Sequence, residues 1–99
     1  MFKENRRPRM INHREPVDKK KIEQACALVR DKLYEQLKKK GPGGWHSTHE
    51  ILGLITEEHH ELIDAVKSNE LDDVAKELAD IAVCCVFGIA CIEDDKCEW

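Results

Sequence analysis

Residues 57–80 read EEHHELIDAVKSNELDDVAKELAD, and the fold turns on them. Apolar residues recur at three- and four-residue intervals on both sides of Ser68-Asn69: Leu62, Ile63 and Val66 before it, Leu71, Val74 and Leu78 after it. That is the period of a helix with one buried stripe, not the alternation of a strand. Ser68-Asn69 is a turn signal, and the acids that follow (Glu70, Asp72, Asp73) suit the positive end of a helix dipole. The stretch is two helices joined by a short connection, which makes them antiparallel neighbours.

Toward the C-terminus the stripe continues through Ile81, Cys85, Ile89 and Ile92, so the third helix runs to about residue 92 and an acidic tail, 93–99, follows it. Ser68 or Asn69 is expected to cap that helix. Toward the N-terminus the second helix extends back to Ser47 or Thr48, either of which can cap it, with Glu50 or Ile51 near the third position. Its buried face is expected to be Ile51, Leu52, Ile55, Leu62, Ile63 and Val66. Gly41-Pro42-Gly43-Gly44 stops a first helix over about residues 17–40. Ile22, Cys26, Val29, Leu33 and Leu37 make its stripe, and Lys38, Lys39 and Lys40 sit at the negative end of its dipole. Residues 1–16 have no hydrophobic period and carry Pro8 and Pro16, so they are expected to form a flexible basic tail ahead of a helical domain over residues 17–92.

The composition agrees. The chain of 99 residues is 36% charged and 5% aromatic with five Gly and three Pro, a profile for helices rather than a sheet sandwich. Three helices of this size form a thin layer with a limited core. An all-α antiparallel bundle of four-helix type is expected, completed by oligomerisation as a homodimer or homotetramer. Charge is unevenly placed: residues 1–20 carry seven Lys/Arg against three acids, and residues 50–99 carry fourteen acids against three Lys. The acidic half and the absence of aromatic residues among the basic ones argue against nucleic acid as the main ligand. Five cysteines without a repeated spacing do not make a disulfide framework and suit a reducing cytoplasm. The longest apolar run, 81–92, is too short for a bilayer, so no membrane partner is expected.

The chemistry is concentrated in the acids. Glu58 and Glu61 stand three apart on the second helix, Glu77 and Asp80 three apart on the third, so each pair shares a helix face. Glu61 and Glu77 lie at similar separations from the turn, which puts the two pairs at similar heights. Glu57 points away from the apolar stripe, whereas Glu58 lies at its rim beside Leu54 and Leu62. Four converging carboxylates repel and raise one another's pKa, and a hard divalent cation, Mg²⁺ or Mn²⁺, relieves both problems. Geometry alone leaves this open against a solvated acidic face.

Glu57-Glu58-x-x-Glu61 followed by Glu77-x-x-Asp80, with Ile55-Thr56 before and Leu78-Ala79 inside, resembles the EExxE…ExxD signature of the MazG-like, all-α nucleoside triphosphate pyrophosphohydrolase superfamily. The resemblance covers roughly residues 20–92. It implies conversion of a nucleoside triphosphate to the monophosphate and pyrophosphate, by metal-activated water attack at the α-phosphorus. It implies Mg²⁺, or Mn²⁺ in its place, on Glu58, Glu61, Glu77 and Asp80, with Glu57 in a supporting catalytic role on a water. Base recognition falls to other residues: Trp45 as a stacking platform or as a core plug, and His46 and His49 as phosphate contacts or surface groups. Lys67, Lys76 and Lys96 are equivalent as phosphate partners, and Asp64 is placed to support Glu61. Two rival readings remain. Glu57-x-x-His60 has the spacing of a di-iron carboxylate–histidine site, although the third helix offers no matching His. A non-catalytic helical interaction module is the other.

Overall fold

The computed structural model describes residues 14–99, and most of the basic tail, residues 1–13, lies outside them. Three helices make up the described chain: α1 (Lys19–Lys40), α2 (Thr48–Lys67) and α3 (Leu71–Glu93). Their order and approximate limits are those the periodicity predicts.

The helix ends follow from local chemistry. Asp18 caps α1 by accepting from the Lys20 amide at 2.9 Å. Gly41 ends it with φ +85°, a region open to Gly but strained for other residues, and donates its N–H to the Leu37 carbonyl at 2.8 Å. Ser47 is the cap of α2: its Oγ accepts from the Glu50 amide at 3.2 Å, while Glu50 Oε1 accepts from the His46 amide at 3.2 Å. This reciprocal arrangement satisfies one of the amides left open at the helix start and the amide of the residue before the cap. Asn69 takes up φ +56° in the turn after α2, as an Asn can. The cap of α3 differs from expectation. It is Glu70, with no side-chain capping bond, because Ser68 is committed backward and donates its Oγ to the Asp64 carbonyl at 2.9 Å.

Helix α3 is central, packing on α2 and, less extensively, on α1. The buried residues are small: Ala65 of α2, and Ala79, Val83, Gly88 and Cys91 of α3. At Gly88 a Cβ would lie 3.4 Å from Ile51 Cγ2, so these two helices approach closely there. Each step along α2 is a step back along α3, so Glu58, seven residues after Ile51, comes level with Ile81, seven before Gly88. The C-terminal residues close the open end. The Glu98 amide donates to the His46 carbonyl at 2.9 Å and its carbonyl accepts from the Thr48 amide at 2.8 Å, a short parallel bridge that clips residues 96–98 to the entry of α2.

The apolar stripes are only partly covered. On α2, Leu52 and Val66, expected in the buried face, are 63% and 55% exposed. On α1 the stripe begins late: Ile22 and Cys26 are exposed, and only Val29, Leu33 and Leu37 are half-buried. On α3 the residues with least exposure, Ala79, Val83 and Cys91, lie beside the expected stripe, while Leu78, Cys85, Ile89 and Ile92 are exposed. The physical reason is that α3 is apolar on two adjacent faces and the other two helices cover one of them.

Gly53 lies inside α2 on an exposed face, and an added Cβ would meet nothing within 4 Å. Glycine costs a helix interior about 1 kcal/mol relative to alanine. Gly53→Ala therefore stabilises the fold by about 0.5–1 kcal/mol in urea unfolding, and a loss of stability would contradict the described exposure of this position.

Candidate metal centre

The register just described brings three carboxylates together. Oxygens of Glu58, Glu77 and Asp80 all lie within 4.8 Å of one another. Each side chain is half-buried. Glu58 projects from α2, and Glu77 and Asp80 from successive turns of α3, the three-residue spacing putting both on the face turned toward α2. One oxygen each of Glu58 and Glu77 is buried with no hydrogen-bond partner. A buried acceptor left unpaired costs free energy, so these two oxygens point to a missing donor or cation.

Electrostatics says the same. The Glu58 carboxyl is pushed up from 4.5 to about 7, first by burial and then by the charges of Glu61 and Asp80. Glu77 is also raised, by burial and by Glu61 beside it. Glu61 is itself exposed and outside the tight group of three, yet it interacts with both Glu58 and Glu77, so it stands at the open rim of the cluster. Exclusively oxygen donors, several of them anionic, fit a hard cation such as Mg²⁺ or Mn²⁺ rather than a thiolate- or imidazole-preferring metal.

Beside the cluster is a cavity of about 220 Å³ between the three helices. Leu33, Leu37, Leu54, Val83 and Phe87 make it apolar, Gln36 and Lys40 add polar groups, and Glu58 and Asp80 form part of its wall. Trp45 lines it too, with its ring edge-to-face on Phe87 at 4.9 Å between centroids. The two roles considered for Trp45 thus coincide: it plugs the loop end of the bundle and presents a surface to the cavity. Cys84, also in the wall, is kept protonated by burial and by the neighbouring Glu58.

The other residues singled out in the sequence lie elsewhere. Glu57 is exposed and outside the group of three. His46 and His49 are exposed, and neither lines the cavity; His46 borders a separate groove with Asp95, Lys96 and Glu98. Lys67, Lys76 and Lys96 are exposed, as is Asp64. Sequence reasoning passed over Lys32 of α1, whose ammonium forms an ion pair with Asp80 Oδ1. It lies beside the apolar stripe of α1 rather than in it, and its partner is on α3, so spacing within α1 carried no signal for it.

The raised Glu58 pKa has a definite sign. Between about pH 4.5 and 7 the folded protein holds a proton that the unfolded chain has released. Metal-free stability therefore falls as pH rises through that window, and is restored by a cation that binds only the ionised site. Thermal unfolding in EDTA is expected to give a larger contribution from this site at about pH 5 than at about pH 8, isolated as the difference from Glu58→Gln. Added Mg²⁺ is expected to stabilise the wild type most at the higher pH. A wild-type-minus-variant difference that grows in the opposite direction in EDTA would refute this electrostatic picture.

Comparison with known proteins agrees with these features. The MazG nucleotide pyrophosphohydrolase domain matches residues 46–97, a segment containing all four carboxylates. A protein of Mycolicibacterium smegmatis named nucleoside triphosphate pyrophosphohydrolase is 32% identical over 87 residues, which are 87% of this chain and 25% of that protein. The chain thus spans about a quarter of the length of this relative. No solved structure matches it. Its family match, all-helical architecture and paired acidic motif place this chain in the MazG nucleotide pyrophosphohydrolase domain family.

Proposed function

We propose that this chain hydrolyses a nucleoside triphosphate to the monophosphate and pyrophosphate in a Mg²⁺-dependent reaction. The observation that carries the reading is the convergence of Glu58, Glu77 and Asp80, two of them with orphaned oxygens, at the wall of an apolar cavity that also holds Trp45. Asp80 and Phe87 are seven residues apart on α3, about 10 Å of helix rise. That separation suits a base among Trp45 and Phe87 and phosphates at the carboxylates.

Glu58, Glu77 and Asp80 would hold the cation, with Glu61 completing the set from the rim. A divalent ion there, Mg²⁺, or Mn²⁺ in its place, would supply positive charge for the phosphates and Lewis acidity toward water. Glu58 and Glu77 must be ionised to act as ligands, and because both are raised, loading would release a proton from this pair. Leu33, Leu37, Leu54, Val83 and Phe87 give the base end apolar contact surface. Trp45 offers the aromatic surface there, while His46 and His49 lie beyond the cavity and are left for contacts outside it. Glu57, facing solvent next to Glu58, is given a supporting role on a water. No covalent nucleophile is required, and Cys84, held as the neutral thiol, is a wall.

A second copy of the chain completes the bundle in this proposal, as a homodimer or homotetramer. Leu78, Ile89 and Ile92 on α3 share one helix stripe and are 52%, 62% and 51% exposed. Each such side chain contributes roughly 1.5–3 kcal/mol when buried. A cytoplasmic setting suits the free thiols of the described cysteines.

The reaction is tested by pyrophosphate release from ribo- and deoxynucleoside triphosphates, with Mg²⁺ and with EDTA. Mg²⁺-dependent release is expected, and Glu58→Gln is expected to lower it by about 100-fold or more while far-UV circular dichroism stays helical. No release on any substrate from folded protein would leave a non-catalytic helical module as the better reading. The assembly is tested separately by light scattering. The wild type is expected above the 11.4 kDa of one chain, and Ile89→Asp to shift it toward the monomer; a wild type that elutes as a monomer would overturn the assembly.

A further inference from the structure

Lys32 is the observation that the proposed reaction has not used. Among the described residues every other Lys and Arg is exposed, whereas Lys32 is half-buried, with 26% of its side chain accessible. Its ammonium reaches from α1 to the carboxylate of Asp80 on α3, itself 19% accessible. It is a cation at the edge of a cluster of acids, two of which have a buried oxygen without a partner.

An ammonium and a divalent ion both favour the same carboxylate, and each weakens the other's hold on it by charge repulsion. A triphosphate arriving with a divalent ion brings more negative charge than that ion offsets. It needs a donor near the metal, and an ammonium with three N–H groups serves as a phosphate partner. Lys32 has a flexible four-carbon stem, so a small swing is enough to exchange a carboxylate oxygen for a phosphate oxygen.

We propose that Lys32 is a phosphate-binding residue that, in the metal-free protein, occupies Asp80 and competes with the cation for it. This rests on the carboxylate cluster being the metal site. It separates Lys32 from Lys67, Lys76 and Lys96, the lysines that sequence spacing left equivalent, because of these four Lys32 is the one that is half-buried and ion-paired to a carboxylate of the cluster, whereas Lys76 is exposed and acts on Glu77 by its charge alone. It also gives α1 a part in the chemistry, although the acidic motif lies wholly on α2 and α3.

The test uses Lys32→Met, which keeps the stem and removes the charge. Mn²⁺ binding to the substrate-free protein is followed by calorimetry, and binding of inorganic tripolyphosphate to the Mn²⁺-loaded protein is measured next. Mn²⁺ affinity is expected to rise several-fold in the variant and tripolyphosphate affinity to fall about 10-fold or more, with Lys32→Arg recovering part of the latter. A residue that merely braces α1 against α3 would weaken both, and that result overturns the proposal, as does an unchanged Mn²⁺ affinity. Wild type and Lys32→Met that both bind no Mn²⁺ would instead overturn the metal site and the proposal with it. A second measurement needs no variant. Acylation of Lys32 in the wild type, read by mass spectrometry, is expected to rise when Mn²⁺ is added and fall again with tripolyphosphate. Acylation indifferent to both would overturn the proposal.

Discussion

The structure depends on how it tolerates three carboxylates within 4.8 Å of one another between α2 and α3. Two unit charges at that distance repel by about 3–4 kcal/mol at an effective dielectric near 20. Three ionised pairs together would rival the whole stability of a small domain, about 5–15 kcal/mol. Full ionisation without a compensating charge is therefore costly. The metal-free protein has two answers. Glu58, pushed up to about 7, carries a proton over much of the acid range, and Lys32 lends its charge to Asp80. Both are partial, because one oxygen each of Glu58 and Glu77 still lacks a partner. An arrangement so unfavourable for stability alone makes sense as a site poised for a cation.

The same constraint shapes the packing around it. Close approach of α2 and α3 requires small residues where they meet, and Ala65, Ala79, Val83 and Gly88 supply them. Small side chains leave room toward α1, and the cavity lined by Leu33, Leu54, Trp45 and Phe87 occupies it. The cavity's polar wall and the carboxylate cluster share Glu58 and Asp80, so anything bound in the one is next to the other. The C-terminal clip of Glu98 onto His46 and Thr48 steadies the segment that carries Trp45. The larger aliphatic residues are turned outward as a result, which leaves α3 with an apolar face that a single chain does not cover.

Much of this was legible in order along the chain. The three-residue spacings within Glu58/Glu61 and Glu77/Asp80, and their similar distances from Ser68-Asn69, are enough to put four acids on facing helices. Helical repeat and a short turn are local properties, and local properties survive into the tertiary structure. Glu61 at the rim rather than in the group of three is a matter of side-chain direction, which spacing does not resolve. Lys32 was invisible for a different reason. Nothing local distinguishes it from the other lysines of α1, and its partner is 48 residues away.

The sequence by itself determined the three helices, the stop at Gly41, the choice of Ser47 or Thr48 for the start of α2, the antiparallel turn and the helix faces that carry the acids, because period, backbone preference and chain connectivity act over a few residues. Only the tertiary structure decided which of the two apolar faces of α3 is covered, which lysine pairs with Asp80, and that Trp45 lines the cavity beside the acids while His46 and His49 do not. Those outcomes depend on the angle and depth at which α1 settles on α3, a sum of many small contacts between residues distant in sequence. No short stretch of residues encodes that sum.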